Sequence, residues 1–202
     1  MRVRASALRL AAVLGVVCGA SLPAAAQNLA AYAQRFEAEC AACHGPQGRS
    51  AMALTPSLAG QPSFYAISQL FLFREGRRDN AVMVAVAKGM SNDDLRGFSD
   101  LIGKLPPPAL PDPAAADAAR VARGQALAQQ RRCTACHGTD LAGGQQVPRL
   151  AHQREDYLAQ ALRGFRAGTR LGYTQAMADT LTGLSPTDLD DVAHYMANMP
   201  VR

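Results

Sequence analysis

Two pentapeptides decide the fold of this chain: Cys40-Ala41-Ala42-Cys43-His44 and Cys133-Thr134-Ala135-Cys136-His137. Each has the pattern Cys-x-x-Cys-His, which is the attachment signature of a c-type haem. Two thiols one helical turn apart can each form a thioether bond to one porphyrin, and the adjacent histidine can then supply a ring nitrogen to the iron. We therefore predict two covalently attached haem c groups. The predicted attachment residues are Cys40, Cys43, Cys133 and Cys136, and the predicted axial histidines are His44 and His137.

Other uses of a Cys-x-x-Cys pair fit the chain less well. A thioredoxin-like redox pair requires a β-strand before the motif, whereas an alanine-rich helical pattern precedes each copy here. A zinc site takes four ligands per metal and would leave the repeated histidine without a clear role. Haem attachment is the favoured interpretation, and zinc binding and dithiol chemistry are the alternatives.

The first 26 residues have the layout of a secretory signal peptide. Three arginines form a basic start, residues 10–20 are apolar, and Ala24-Ala25-Ala26 offers small residues to a signal peptidase. Cleavage is expected directly after this triplet, and an uncleaved N-terminal anchor is the alternative. The apolar stretch is short for a transmembrane helix. The mature protein is therefore predicted to be periplasmic.

The cysteine count and the net charge narrow the function further. Of five cysteines, Cys18 lies in the predicted signal peptide, and the other four lie in the two haem motifs, which leaves none for a disulfide. The formal net charge of +5 falls to +2 without the three arginines of the signal peptide. Four ionised haem propionates would bring it to about −2, so the basic composition is no argument for nucleic-acid binding.

An internal repeat extends well beyond the haem motifs. The stretch Pro56-Ser57-Leu58-Ala59-Gly60-Gln61 matches Pro148-Arg149-Leu150-Ala151-His152-Gln153, 92 residues later. After Arg170 the offset grows to 94, so that Met83 matches Met177. A repeat of this length exceeds a solenoid unit and indicates two tandem domains of common ancestry.

Each half is predicted to be all helical. One helix runs into each haem motif, over residues 29–43 and 118–136, and another begins at Pro62-Ser63. The last helix starts with a capping-box pattern in both halves, at Ser91 to Asp94 and at Ser185 to Asp188. Apolar residues follow these starts at helical spacing.

A proline-rich stretch separates the two halves. Five of the nine residues from Leu105 to Pro113 are prolines, which cannot continue a helix and favour a stiff, extended spacer. The predicted division of the chain is a signal peptide at 1–26, an N-terminal monohaem domain at 27–105, a Pro/Ala-rich linker at 106–116 and a C-terminal monohaem domain at 117–202.

Two methionines are the candidates for the second axial ligand of each iron. Thioether sulfur raises the reduction potential of a haem relative to a second histidine. The repeat selects Met83 and Met177, which lie 39 and 40 residues after the axial histidines. Met90 is the rival in the first half, but its counterpart is Leu184, which cannot bind iron. The methionines without a matching methionine in the repeat are predicted to fill the core, namely Met52, Met196 and Met199.

Two histidines and two arginines have less specific interpretations. His152 replaces Gly60, and His194 matches no histidine, so packing or surface roles are favoured, with histidine ligation of the second haem as the alternative. Arg78 and Arg170 recur in the repeat, and they either pair with haem propionates or are exposed basic residues.

Together these residues resemble the dihaem cytochrome c4 family, in both halves of the chain. The shared features are Cys-Ala-Ala-Cys-His-Gly, Pro-x-Leu-Ala-Gly-Gln, the helix with Tyr…Gln-Leu…Phe-Arg-x-Gly-x-Arg, Met83 and the Ser-x-x-Asp start of the last helix. The resemblance implies two class I cytochrome c domains about a pseudo-twofold axis and electron transfer in the bacterial periplasm. It also implies haem ligation by Cys40, Cys43, His44 and Met83 and by Cys133, Cys136, His137 and Met177.

The expected function is transfer of single electrons between a respiratory donor and a terminal oxidase or other acceptor. In this interpretation a methionine closes each iron, so the chain is a diffusible or loosely membrane-associated electron carrier and not an enzyme. One alternative is a dihaem electron-transfer subunit of a periplasmic oxidoreductase complex that oxidises sulfide or an alcohol. Another is a dihaem enzyme, such as a peroxidase or a thiosulfate-oxidising protein, which needs an open or unusually ligated iron.

Overall fold

The computed structural model of the chain describes residues 24–200 except 112, 113, 115 and 171–174. For residues 24–27 it describes the backbone only. The predicted signal peptide up to position 23 and part of the predicted linker therefore lie outside the described residues. Within the described ranges, no helix combines the length and the apolar character that crossing a bilayer requires.

The described residues are helical in both halves. The helices of the first half are α1 (Ala24–Glu39), α2 (Ala41–His44), α3 (Ser63–Arg74), α4 (Ala81–Ala87) and α5 (Asn92–Lys104). The second half repeats this order with α6 (Ala118–Gln130), α7 (Thr134–His137), α8 (Glu155–Arg166), α9 (Gln175–Thr180) and α10 (Pro186–Ala197). Among these residues there is no β-strand, only an isolated bridge between Gly144 and Val147. The predicted all-α fold with two tandem domains is confirmed.

The capping boxes that start the last helix of each half form as the sequence predicts. The Ser91 hydroxyl accepts the Asp94 N–H at 3.1 Å, and the Asp94 carboxylate accepts the Ser91 N–H at 2.9 Å. Ser185 and Asp188 make the same two bonds at 3.1 and 2.8 Å. Each box satisfies two backbone N–H groups that a helix start would otherwise leave without partners. The starts of α5 and α10 are thereby fixed.

The predicted continuous helix into each haem motif is wrong, because the chain turns before the motif. In the first half α1 ends at Glu39 and α2 begins at Ala41. In the second half Arg132 lies between α6 and α7 with a φ of 54°, a left-handed conformation that commonly ends a helix. Each haem motif therefore forms a separate helical turn.

Glycines let the last helix of each half cross the first one closely. A Cβ at Gly97 on α5 would lie 2.0 Å from the Tyr32 ring of α1. In the second half the glycine is on the other helix, since a Cβ at Gly124 of α6 would lie 2.1 Å from the Asp191 carbonyl oxygen of α10. α3 and α8 pack against α5 and α10 respectively, which closes one hydrophobic core per half.

The described part of the linker lies against both domains. A Cβ at Gly60, whose φ is 68°, would be 2.8 Å from the Pro107 side chain. The Arg49 guanidinium donates to the Pro106 carbonyl at 3.2 Å, and the His152 Nδ1 lies 3.3 Å from the Pro108 carbonyl oxygen. These contacts hold the start of the linker in place at the surface of the two domains.

Candidate haem-binding sites

The two histidines of the haem motifs are buried and oriented by the same hydrogen bond. The His44 Nδ1 donates to the Pro56 carbonyl oxygen at 2.8 Å, and the His137 Nδ1 donates to the Pro148 carbonyl oxygen at 2.9 Å. A carbonyl oxygen can only accept, so each Nδ1 carries the proton and each Nε2 keeps a free lone pair. This is the tautomer that an iron-binding histidine needs.

Burial also keeps both rings uncharged. It lowers the pKa of His44 and of His137, and this outweighs the carbonyl hydrogen bonds, which raise the pKa of each ring. A metal binds the neutral imidazole, because a protonated nitrogen has no lone pair to share. The two histidines are therefore prepared for iron binding over the neutral pH range.

The cysteines differ from those of a dithiol redox enzyme. Cys43 and Cys136 are exposed, whereas Cys40 and Cys133 are partly buried. Burial raises the pKa of the Cys40 thiol to about 11 and raises that of Cys133 as well. A redox-active cysteine pair requires a thiol with a lowered pKa. In the described part of the chain, no three side chains of His, Cys, Asp or Glu are grouped so that they could hold a metal ion.

The predicted methionine ligands lie on the short helices α4 and α9. Met83 packs against the same core cluster as Cys40, and Met177 against the same cluster as Cys133. The Asn80 side chain caps α4 by accepting the Met83 N–H at 2.9 Å, which fixes the backbone of this methionine. The sequence did not predict these two helices, which are too short for a periodic pattern.

The other methionines lie in different environments. Met90 is 9% exposed and lies within the first core cluster, as its repeat partner Leu184 does in the second. Met196 and Met199 are buried, as predicted, but the prediction for Met52 is wrong, since 46% of its surface is exposed. Met52 lies in the loop after the first haem motif and not on a helix of the core.

The chain matches the cytochrome c family model over residues 30–101 and 121–200. It is 30% identical to cytochrome c4 of Thiocapsa roseopersicina, over 79% of this chain and 86% of that protein. It is 34% identical to the thiosulfate dehydrogenase electron acceptor of Thiomonas intermedia, over 81% of this chain and 80% of the relative. The crystal structure of reduced recombinant cytochrome c4 from Pseudomonas stutzeri superposes with a TM-score of 0.76 at 26% identity, covering 84% of this chain and 97% of the other. The chain belongs to the dihaem cytochrome c4 family.

Membership of the cytochrome c4 family establishes the cofactor and the class of function. The chain is a dihaem c-type cytochrome with two covalently attached haem c groups, and it is an electron carrier and not an enzyme. The geometry of the motif residues fits these groups, because each motif pairs an accessible and a partly buried cysteine with a buried histidine of the correct tautomer.

The two remaining histidines of this cytochrome are engaged with protein groups. The His194 Nδ1 lies 2.8 Å from a Glu155 oxygen, and its Nε2 accepts the Asp117 N–H at 3.1 Å. The His152 Nε2 lies 2.9 Å from the Met199 carbonyl oxygen. His152 takes a φ of 59° at the position of Gly60, whose φ is 68°, so the strained turn of the repeat is kept without the glycine. Both histidines serve packing, as the sequence predicts.

Arg78 and Arg170 converge at the boundary between the two cytochrome domains, although they are 92 residues apart. Arg78 donates to the Tyr157 hydroxyl at 3.0 Å, and Arg170 donates to the same oxygen at 3.1 Å. Burial would raise the pKa of Tyr157, but the two guanidinium groups outweigh this effect and lower it. The sequence showed that both arginines recur, but it gave no sign that they meet at one tyrosine.

Proposed function

We propose that this cytochrome carries single electrons between respiratory-chain partners in the periplasm, with both irons ligated by histidine and methionine. The observation that carries the proposal is the equivalence of Met83 and Met177. Each lies on a short helix, half-buried against the core cluster that also contacts the first cysteine of its haem motif. When bound, the haem supplies a reversible one-electron change between ferric and ferrous iron.

The protein residues have distinct roles in this function. His44 and His137 supply the lone pairs of their Nε2 atoms, and the carbonyls of Pro56 and Pro148 hold the rings in place. Met83 and Met177 would each supply a thioether sulfur to the iron, a soft ligand that favours the ferrous state. With a histidine and a methionine both bound, these residues would leave no position for a substrate and would restrict each haem to electron exchange.

The periplasmic location rests on the first 26 residues and on the cysteines. The basic start, the short apolar stretch and the alanine triplet have the order of an exported precursor. The four cysteines after residue 26 all lie in the two haem motifs. Haem attachment therefore accounts for every thiol of the mature chain, and none is left over for another role. Sequencing the N-terminus of the purified protein tests the cleavage site, which is expected after Ala26.

A dihaem electron-transfer subunit of a periplasmic oxidoreductase is the second candidate. One relative is named as the electron acceptor of thiosulfate dehydrogenase, and complexes that oxidise sulfide or an alcohol would use the same haem residues. A partner enzyme would then supply the substrate chemistry. Affinity purification of the tagged protein from its native periplasm separates the candidates, because a subunit keeps a stoichiometric partner through gel filtration and a carrier elutes alone.

The ligation is tested optically on protein produced in a host that matures c-type haem. We expect the ferric protein to show a sulfur-to-iron charge-transfer band, which loses about half its intensity in Met83→Ala and in Met177→Ala. The matched control is Met90→Leu, which gives the first domain the residue of the second and should leave the band intact. If Met90→Leu instead loses about half of the band, Met90 and not Met83 is the sixth ligand of the first iron.

Carbon monoxide tests whether the irons are closed. The reduced wild-type protein should not bind it, whereas each alanine variant should bind one equivalent at its open iron. Rapid binding of carbon monoxide by the wild type would contradict the proposal and would direct attention to substrate turnover.

A further inference from the structure

The exposed large hydrophobic side chains of the described residues all lie in the first domain. The six residues are Met52, Leu54, Phe64, Phe71, Val82 and Val86. The repeat offers a direct comparison, because the four of these residues on helices α3 and α4 have counterparts on α8 and α9 of the second domain. The difference therefore does not come from the fold, and it gives the first domain a surface of its own.

Helix α4 carries the most compact part of this surface. Its outward face consists of Ala81, Val82, Ala85 and Val86, which are all exposed, and Val82 is 64% exposed. Its other face carries Met83, which packs against the core. A helix face in contact with water normally has polar residues. We call the four outward residues the α4 face.

The equivalent helix of the second domain lacks this character. With the offset of 94 residues, the α4 face corresponds to Gln175, Ala176, Asp179 and Thr180 of α9. Three of these four side chains are polar, and one is charged. Helix α9 is thus an ordinary solvated helix, whereas the α4 face is an apolar patch that the fold alone does not require.

Basic residues flank helix α4 in the sequence. Arg77 precedes the helix and Lys88 follows it, and both are exposed. Within the described part of the chain, neither has a carboxylate within ion-pair distance. Residues 77–88 contain three basic side chains, Arg77, Arg78 and Lys88, and one acidic side chain, Asp79. The segment therefore has a net positive charge. An apolar centre with a basic rim complements a surface with an apolar centre and an acidic rim.

The size of the α4 face fits a transient partner. A helix of seven residues is about 10 Å long, and four side chains of this size offer a few hundred Å² of contact. Stable dimers bury about 800 Å² per partner, whereas transient redox complexes form with less. A weak complex suits an electron carrier, because the carrier must leave after each transfer.

We propose that the α4 face is the docking surface for the redox partner, a protein with an apolar centre and an acidic rim on its own docking face. Electrons then enter or leave through the first haem, because a partner on this face is one helix diameter from Met83, about 10 Å. The second haem exchanges electrons with this partner through the first. The inference rests on the proposed function as an electron carrier.

The test uses an electrode that imitates such a partner. The holoprotein is adsorbed on gold coated with a mixed monolayer of methyl-terminated and carboxyl-terminated thiols, and the interfacial electron-transfer rate is measured by voltammetry. We expect Val82→Glu and Arg77→Glu each to lower the rate by about tenfold, the change that loss of a buried apolar contact or a charge pair produces. The matched control Ala176→Glu, at the position equivalent to Val82, should stay within about twofold of the wild type.

Spectra of the same samples separate docking from ligation. The charge-transfer band and both reduction potentials are recorded for every variant, and Arg77→Glu, which lies outside the helix, should change neither. An unchanged rate in Arg77→Glu, or an equal loss in Ala176→Glu, would overturn the docking surface. If the wild-type protein itself lacks the band or binds carbon monoxide, the proposed function fails, whatever the electrode rates are.

Two further measurements exclude other occupants of the α4 face. Vesicles of phosphatidylglycerol test an anionic membrane, and sedimentation velocity at rising concentration tests a second copy of the chain. We expect that the wild-type protein does not bind the vesicles and does not self-associate through the α4 face. Either result, if found and lost in this variant, would reassign the face to lipid or to a dimer and overturn the redox-partner assignment.

Discussion

Gln61 and Gln153 each place their side-chain amide against the backbone of the opposite domain. Gln61 accepts the Arg149 N–H and donates to the Arg149 carbonyl, both at 3.0 Å. Gln153 accepts the Ser57 N–H and donates to the Ser57 carbonyl, both at 2.8 Å. Gln153 is the repeat equivalent of Gln61, and Arg149 is the repeat equivalent of Ser57, each 92 residues later. The same bond pattern is therefore used twice, once from each domain.

We expect Gln61→Ala and Gln153→Ala to loosen the domain interface. Both side chains are 5% exposed, so each change leaves a backbone N–H and a carbonyl without partners in a dry contact, at a cost of about 1–3 kcal/mol. Denaturant unfolding of the holoprotein, followed at both haems, measures the loss. The exposed Gln160→Ala is the control. A double variant as stable as this control would show that the paired amides do not hold the domains together.

Asp94 makes the unfolding free energy of the first domain depend on pH in the acidic range. The hydrogen bond from the Arg35 guanidinium, followed by those from Ser91, lowers the pKa of Asp94 to about 2. A carboxyl group with a lowered pKa in the folded state stabilises it above its unfolded pKa of about 3.9, and this contribution is lost as the pH falls towards 2. Solvent screening limits it to about 1 kcal/mol.

The variant Asp94→Asn removes this dependence in the first domain. The unfolding free energy, measured as a function of pH, should fall near neutral pH and change less between about pH 4 and pH 2 than in the wild type. Asp188→Asn is the comparison, because Asp188 has the bonds to Ser185 but its lowered pKa involves no arginine hydrogen bond. Equal effects of the two variants would mean that Arg35 contributes nothing.

Gly45 and Gly138 follow the axial histidines with almost the same backbone angles but tolerate a side chain differently. Their φ values are 78° and 82°, and their ψ values are 161° and 160°. A residue other than glycine in this region costs about 1–3 kcal/mol. A Cβ at Gly45 would also lie 2.0 Å from the Arg49 carbonyl oxygen, whereas a Cβ at Gly138 would lie 3.3 Å from a side-chain oxygen of Asp140.

Gly45→Ala should therefore reduce stability and haem incorporation much more than Gly138→Ala. Thermal unfolding and the ratio of haem to protein measure the two effects. Gly89→Ala serves as the control, since its Cβ would meet nothing within 4 Å. If Gly45→Ala unfolds at the same temperature as Gly138→Ala, the backbone clash at Arg49 is relieved by a small shift of the loop.

Arg78 and Arg170 should raise the reduction potentials of the haems. Two positive charges at the domain boundary favour the ferrous state, which has one positive charge fewer than the ferric state, and propionates are the anions that we expect them to face. Arg78→Gln and Arg170→Gln should each lower the potentials by tens of millivolts, since about 59 mV corresponds to a tenfold change for one electron. Potentiometry measures the shift.

The exposed Arg77→Gln is the control for this change in charge. It removes the same charge one residue from Arg78 but makes no contact with Tyr157, so screening by water should keep its effect small. Potentials that shift equally in Arg77→Gln and Arg78→Gln would show that the cluster at Tyr157 has no special role.

Features that depend on neighbouring residues could be predicted from the sequence. The Cys-x-x-Cys-His motifs carry their chemistry within five residues, and the capping boxes of Ser91 and Ser185 within four. The internal repeat added the tandem organisation and selected Met83 and Met177, because equivalent positions share a role. The turn at Arg132 and the helices α4 and α9 were missed, since segments this short have no hydrophobic period to detect.

The sequence by itself determined the number of haems, their attachment residues and the helical repeat. Only the tertiary structure decided which remote groups meet: the Pro56 carbonyl at His44, the amides of Gln61 and Gln153 at the opposite domain, and the two arginines at Tyr157. These bonds join residues up to 96 positions apart. Local propensity and periodicity act over a few turns of chain, whereas such contacts depend on the path of the whole backbone.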